Sequence, residues 1–190
     1  MLVQARPITI DEFEQMAEFS NGRYELIDGR PVEKSMPGDE HSRIADDLLF
    51  AIRDFDRNWK LGRAWREVTV RVRSDERNGR EPDLSYVVAS RVPPKSKGSL
   101  DVVPDLVVEV WSPSDVAGQV NLKSTREKML YWPDNGVKIT WCINPAAQEV
   151  EILYAGQKTP AKVLGLKDTL EGEDVIPGFK LEVARLFTTE

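Results

Sequence analysis

"VVPDLVVEVWSPSD", residues Val102–Asp115, decides how this chain is read. Leu106, Val107, Val108, Val110 and Trp111 make a near-continuous apolar run, the pattern of a strand covered on both faces. Asp105 opens that run and Glu109 lies inside it. A buried carboxylate without a partner costs on the order of several kcal/mol or takes up a proton. Glu109 therefore needs a partner. Side chains alternate along a strand, so Asp105, Val107 and Glu109 share one face.

Upstream, "PDLSYVVAS" reads as a second short apolar strand opened by Asp83. If the two strands are neighbours, Asp83 and Glu109 approach each other. Two carboxylates that close repel, and either one is protonated or a divalent cation holds both ionised. The plainer alternative pairs Glu109 with an arginine from "WREVTVRVR", where Arg66, Arg71 and Arg73 are available. Asp83 and Asp105 each follow a proline and can cap local backbone groups; for Asp105 that is the expected role.

Composition narrows the chemistry. The 190 residues are 41% hydrophobic and 31% charged, which fits a soluble globular chain with one domain over residues 1–190. No apolar run has the length of a membrane helix, and the opening residues lack a secretory core, so a cytoplasmic location is expected. One cysteine, Cys142, and one histidine, His41, exclude a disulfide framework and a Cys- or His-rich metal site. Any metal would sit among oxygen ligands, which points to Mg²⁺, Mn²⁺ or Ca²⁺.

The net charge of −6 argues against strong non-specific nucleic-acid binding. The charge is uneven, however. Arg57–Lys97 holds 11 Lys/Arg against 5 Asp/Glu, a local +6 that leaves −12 elsewhere. A phosphate-facing side is one reading; solvated strand faces are the plainer one.

The remaining elements follow from periodicity. Thr9 and Glu12 form a capping box for a helix in "ITIDEFEQMAEF", and "YELIDGRPVEKS" is a hairpin turning at Asp28-Gly29. Asp39–Lys60 is the main helix, with Ile44, Leu48, Leu49, Ile52, Phe55 and Trp59 on one face. "AWREVTVRVRS" alternates as a strand and "DERNGR" is a turn. A helix runs from about Leu122 to Trp132, stopped by Pro133. "VKITWCIN", "EVEILYAG" and an edge strand at "AKVLGL" follow, then a turn and short helix in "IPGFKLEVARLF". Strands near Val68, Leu84 and Val107 are expected in one sheet covered by the two helices, giving a mixed α/β fold with a crossover helix.

These residues together resemble the Uma family of bacterial endonucleases, within the restriction-endonuclease-like PD-(D/E)XK superfamily. The resemblance rests on Pro82-Asp83, "PDLVVEVWSPSD", a lysine in the next helix, "GVKITWCINP", the early "YELIDGRPV" and the closing "IPGFKLEVARLF", and runs from about Thr9 to Phe187. It implies a mixed central sheet flanked by helices, with an N-terminal helix and hairpin. It also implies a nuclease that hydrolyses nucleic acid, DNA first, with Mg²⁺ or Mn²⁺ on Asp83 and Glu109. The superfamily often places its lysine two residues after the glutamate, where this chain has Trp111. The family places it in the following helix, at Lys128; Lys123 is expected on a solvated helix face. Glu25 either completes the acidic cluster or is a polar hairpin position, and His41 is an orienting or capping residue. Arg71, Arg73, Lys95 and Lys97, with Arg91, are the candidate phosphate contacts, and a homodimer is implied by analogy. Two positions depart from the family: Asn144 replaces its aspartate and Trp132 its tyrosine. These departures and the acidic net charge support an alternative, a catalytically silent module that keeps the nuclease fold for binding or scaffolding. Glycoside hydrolysis by the paired carboxylates is a weaker reading, because the tryptophans look like core residues.

Overall fold

The computed structural model describes residues 6–16, 24–34, 36–72, 74–95, 98–113 and 119–188, the side chains of 119–122 excepted. Helix α1 (Ile10–Gln15) begins at its capping box: Thr9 Oγ1 accepts the Glu12 N–H at 3.3 Å, and the Glu12 carboxylate accepts the Thr9 N–H at 2.9 Å. The hairpin β1 (Tyr24–Ile27) and β2 (Arg30–Glu33) turns through Asp28 and Gly29, both left-handed at φ 50° and 74°. That is the two-residue turn whose twist matches the flanking strands. A Cβ on Gly29 would lie 2.6 Å from Pro7 Cβ, so the turn needs glycine for space as well as for φ.

Helix α2 (Asp39–Phe55) buries Ile44, Ala45, Leu48 and Ile52. It ends before the expected Lys60. Asp56 turns its carboxylate onto the Lys60 and Leu61 N–H groups at 2.9 and 2.8 Å, and Trp59 adopts φ 52°. Phe55 is consequently exposed rather than core. The stretch expected as one strand is two. β3 (Gly62–Arg66) stops at Glu67, which is left-handed at φ 47°, and β4 (Val70–Arg71) joins a different sheet. The region expected only as a turn contributes β5 (Gly79–Arg80).

The later elements are β6 (Leu84–Val88), β7 (Leu106–Val110), α3 (Gln119–Asp134), β8 (Ile139–Asn144), β9 (Glu149–Tyr154), β10 (Lys162–Leu164), β11 (Thr169–Glu171) and β12 (Lys180–Glu182). The β11–β12 pair was not anticipated, because polar residues flank Leu170 on both sides. Helix α3 runs past the expected stop and holds Pro133 in its last turn.

The main sheet has six strands in the order β10-β9-β8-β7-β6-β3, and β2-β1-β5-β4 form a second sheet. Only β7 and β8 are parallel neighbours in the main sheet, joined by α3 as the crossover; its other neighbours are antiparallel. Alternation along β7 sorts its residues between two cores. Leu106, Val108 and Val110 pack with Ile44, Leu48 and Ile52 of α2. Val107 packs with Trp132, and Trp111 with Met129, on the α3 side. Glu109 has the parity of Val107 and Trp111, so the strand aims it at α3.

Candidate active site

The β6–β7 ladder pairs Leu84 with Val108, and one step further lie Asp83 and Glu109. The two acids therefore face each other at the mouth of two neighbouring strands. The Val110 N–H donates to Asp83 Oδ2 at 2.6 Å, which fixes that carboxylate to the end of the ladder. Asp83 Oδ1 lies 2.8 Å from Nε2 of His41, in the first turn of α2.

Among the described residues the buried Glu109 has two partners, both from α3. Lys128 Nζ is 2.9 Å from Oε2, and the Trp132 indole N–H donates to Oε1 at 2.7 Å. Lys128 and Trp132 are four residues apart and share one helix face. The arginine alternative fails where it can be checked: Arg66 pairs with Asp46 and Glu67, and Arg71 with Asp11 and Glu14, whereas Arg73 lies outside the described residues.

Glu25 arrives from β1, in the other sheet. It is buried, and its Oε1 accepts the Glu81 N–H at 2.7 Å. Its charge acts on both Glu109 and Lys128, so it stands within the same field. Sequence reasoning missed Glu81 and Lys34, which pair at 2.9 Å beside Glu25. The available signal was position: Glu81 directly precedes Pro82-Asp83, and Lys34 directly follows the hairpin.

The electrostatics follow from burial and these pairings. Burial would raise the Asp83 carboxyl, but the bond from His41, the charges of His41 and Lys128 and the Val110 N–H together lower it. Burial works against a charged His41, and the same bond to Asp83 raises it. Burial pushes Glu109 up to about 7; Lys128 opposes this, while the charges of Asp83 and Glu25 reinforce it. Burial would lower Lys128, but Glu109, Glu25 and Asp83 together raise it. Lys128 thus stays an ammonium at neutral pH. The cluster opens to solvent at Lys128, whose side chain is 41% exposed against 4% for Glu109 and 14% for Asp83.

The other expected positions separate clearly. Lys123 is 80% exposed and 3.7 Å from Glu127, a solvated helix pair. Asn144 ends β8 and accepts the Ala147 N–H at 3.2 Å. Lys95 is exposed, and Lys97 lies outside the described residues. Asp105 is fully buried; it accepts the Val88 N–H at 3.0 Å and pairs with Arg91 at 2.6 Å and Lys138 at 2.9 Å. This is the backbone-capping role expected for it, and it binds Arg91 internally.

Asp105 carries a pH prediction. Burial would raise its carboxyl, but Lys138, the Val88 N–H and Arg91 hold it below the ordinary value. A carboxyl depressed in the folded chain contributes stability above its unfolded value, about 3.9, and loses it as pH falls through the folded value. The parent's melting temperature is expected to drop steeply on acidification below about pH 4. Asp105→Asn is expected to melt lower at neutral pH and to show a flatter acid limb. Parallel melting curves against pH for the two proteins would refute the assignment.

Among the described residues, no three His, Cys, Asp or Glu side chains converge as a ready metal cage, and no helix is long and apolar enough to cross a membrane. The profile of a family described as "Uma2: Putative restriction endonuclease" matches residues 10–184. Among solved structures, the chain is similar to one described as a "putative nuclease belonging to DUF820" from Anabaena variabilis ATCC 29413. The two are 25% identical, and the match covers 95% of this chain and 98% of the other at a TM-score of 0.76. The curated proteins give no match.

Proposed function

The chain belongs to the Uma2 family of nucleases and has the restriction-endonuclease-like fold, and from that premise we propose that it hydrolyses phosphodiester bonds of DNA with a divalent cation at Asp83 and Glu109. One observation carries the reading. A buried acid, Glu109, and a half-buried one, Asp83, stand opposite each other where two neighbouring strands meet, with the ammonium of Lys128 2.9 Å from Glu109.

The residues present fit such a cation. Every donor is a carboxylate oxygen, the preference of Mg²⁺ and Mn²⁺. Mg²⁺ commonly binds through one or two carboxylates and keeps several waters, so a preformed cage is not required. Glu25, held by the Glu81 N–H, is the neighbouring acid that would join Asp83 and Glu109. When bound, the cation supplies a Lewis acid that offsets phosphoryl charge and acidifies water. The chain's own groups do the rest. Trp132 fixes Glu109 through one oxygen, and His41 and the Val110 N–H fix both oxygens of Asp83. Lys128, held protonated, donates to the attacking water or the phosphate and stabilises negative charge there; it does not act as a base. Lys95 and Lys97, with Arg73, would contact the phosphate backbone; Arg91 is left out because it serves Asp105, and Arg71 because it serves Asp11 and Glu14. The same reading includes a homodimer in which two sites meet two strands, to be read by sedimentation velocity; a monomer alone at micromolar concentration would count against it.

A second reading, a nuclease-fold module that binds without cutting, is favoured by one observation. Asp83 and Glu109 are already satisfied internally by His41, Val110, Lys128 and Trp132. A thermal-shift titration separates the two. Saturating Mn²⁺ or Mg²⁺ at about a hundred times its dissociation constant should add about 2.7 kcal/mol, which raises the melting temperature of a chain this size by roughly 5–10 °C. Asp83→Asn should abolish the rise. No rise in the parent would favour the binding module.

A further inference from the structure

Four arginines of the basic stretch Arg57–Lys97 are held by the chain's own carboxylates. Arg57 pairs with Asp54, Arg66 with Asp46 and Glu67, Arg71 with Asp11 and Glu14, and Arg91 with Asp105. Arg80 is different. Among the described residues it has no carboxylate partner. Its guanidinium lies 4.2 Å from the centroid of the Tyr131 ring, and its Nε is buried with no hydrogen-bond acceptor; Arg66 and Arg71 share the unaccepted Nε, but their terminal nitrogens have carboxylates. A buried, unaccepted donor on a charged group costs free energy, and native chains rarely keep one without a use.

Its place in the fold gives that use. Gly79 faces Ile10 on one side of β5, so Arg80 projects to the other, toward α3. Tyr131 holds the guanidinium from below. Its own hydroxyl donates to Asp75 at 3.3 Å, and its ring stands edge-on to Trp132 with centroids 5.2 Å apart. Trp132 in turn donates to Glu109. Arg80 also lies three residues before Asp83, and Tyr131 three after Lys128. A planar fork with unused donors, stacked on an aromatic ring beside an acidic hydrolytic site, matches a phosphate diester in charge and shape.

We propose that Arg80, stacked on Tyr131, binds a backbone phosphate of the nucleic acid next to the one being cleaved. This rests on the nuclease reading above. It makes Arg80 a substrate-positioning residue that holds the strand in line with Glu109 and Lys128. Because the contact reads a phosphate, it serves DNA and RNA alike.

The test is binding of fluorescent DNA and RNA duplexes of equal length across a salt series, for the parent, Arg80→Gln and Arg80→Lys. Glutamine keeps a planar group against Tyr131 and removes the charge; lysine keeps the charge and loses the fork. Arg80→Gln is expected to weaken binding about tenfold and to reduce the slope of log K against log salt by about one. Arg80→Lys is expected to restore most of the slope but not all of the affinity. Melting curves accompany each variant. Unchanged affinity and slope in Arg80→Gln, whatever its melting temperature, would make Arg80 a packing residue and overturn the inference while the nuclease reading stands. A parent that binds neither duplex would overturn the nuclease reading and this inference with it.

Discussion

Glu109→Gln is expected to abolish metal-dependent cleavage, by about a thousandfold or more, while the chain stays folded. Glu109 is 3% exposed near the C-terminal end of β7, and burial pushes its carboxyl up to about 7. Glutamine has the shape of the protonated acid, the state that burial favours, so the core has no new volume to absorb. The amide oxygen can still accept the Trp132 N–H. What disappears is the negative charge that would hold a cation opposite Asp83. The measurement is cleavage of plasmid and oligonucleotide DNA with Mn²⁺ and Mg²⁺, with a melting curve as the check on folding. A folded variant that cuts as fast as the parent would remove Glu109 from the mechanism.

Lys128→Met is expected to reduce cleavage by about two to three orders of magnitude and yet to leave the cation-induced rise in melting temperature in place. Methionine keeps most of the length and apolar stem of lysine, and both acids remain. The ammonium is removed without removing a ligand. Lys128→Arg should recover part of the rate, since it restores charge in a different shape. If Lys128→Met lost the thermal response along with activity, the lysine would be organising the acids rather than acting on the phosphate. If activity survived, Lys128 would have no part in the reaction.

The acid pair was legible because it depends on simple rules. Alternation put Glu109 on a defined face, and the adjacency of two short apolar strands put Asp83 opposite it. The helix lysine was legible only through the family resemblance, since spacing alone does not say which of Lys123 and Lys128 reaches the sheet. The identity of Glu109's second partner was not legible. Trp132 had looked like a departure from the family's tyrosine, and its indole N–H is what fixes Glu109. The break of one expected strand into β3 and β4 was hidden because it turns on one residue, Glu67 at φ 47°, a conformation its side chain does not advertise. The early end of α2 was hidden for a related reason: Asp56 satisfies two N–H groups beyond the last turn, a local bond that competes with helix continuation.

The place of the ammonium has a consequence for how such a site can be altered. Position 111, two residues after the glutamate, is filled by Trp111, 4% exposed and roofed by the Arg126 guanidinium at 5.2 Å. The acids belong to the β6–β7 ladder, whereas Lys128 reaches them from a helix that meets that ladder through side chains. A change in α3 can therefore withdraw, shorten or redirect the cation without breaking a sheet hydrogen bond. On the proposed mechanism one half of the site is tied to the scaffold and the other is exchangeable, so cutting and silent versions of the same sheet would lie a few helix substitutions apart.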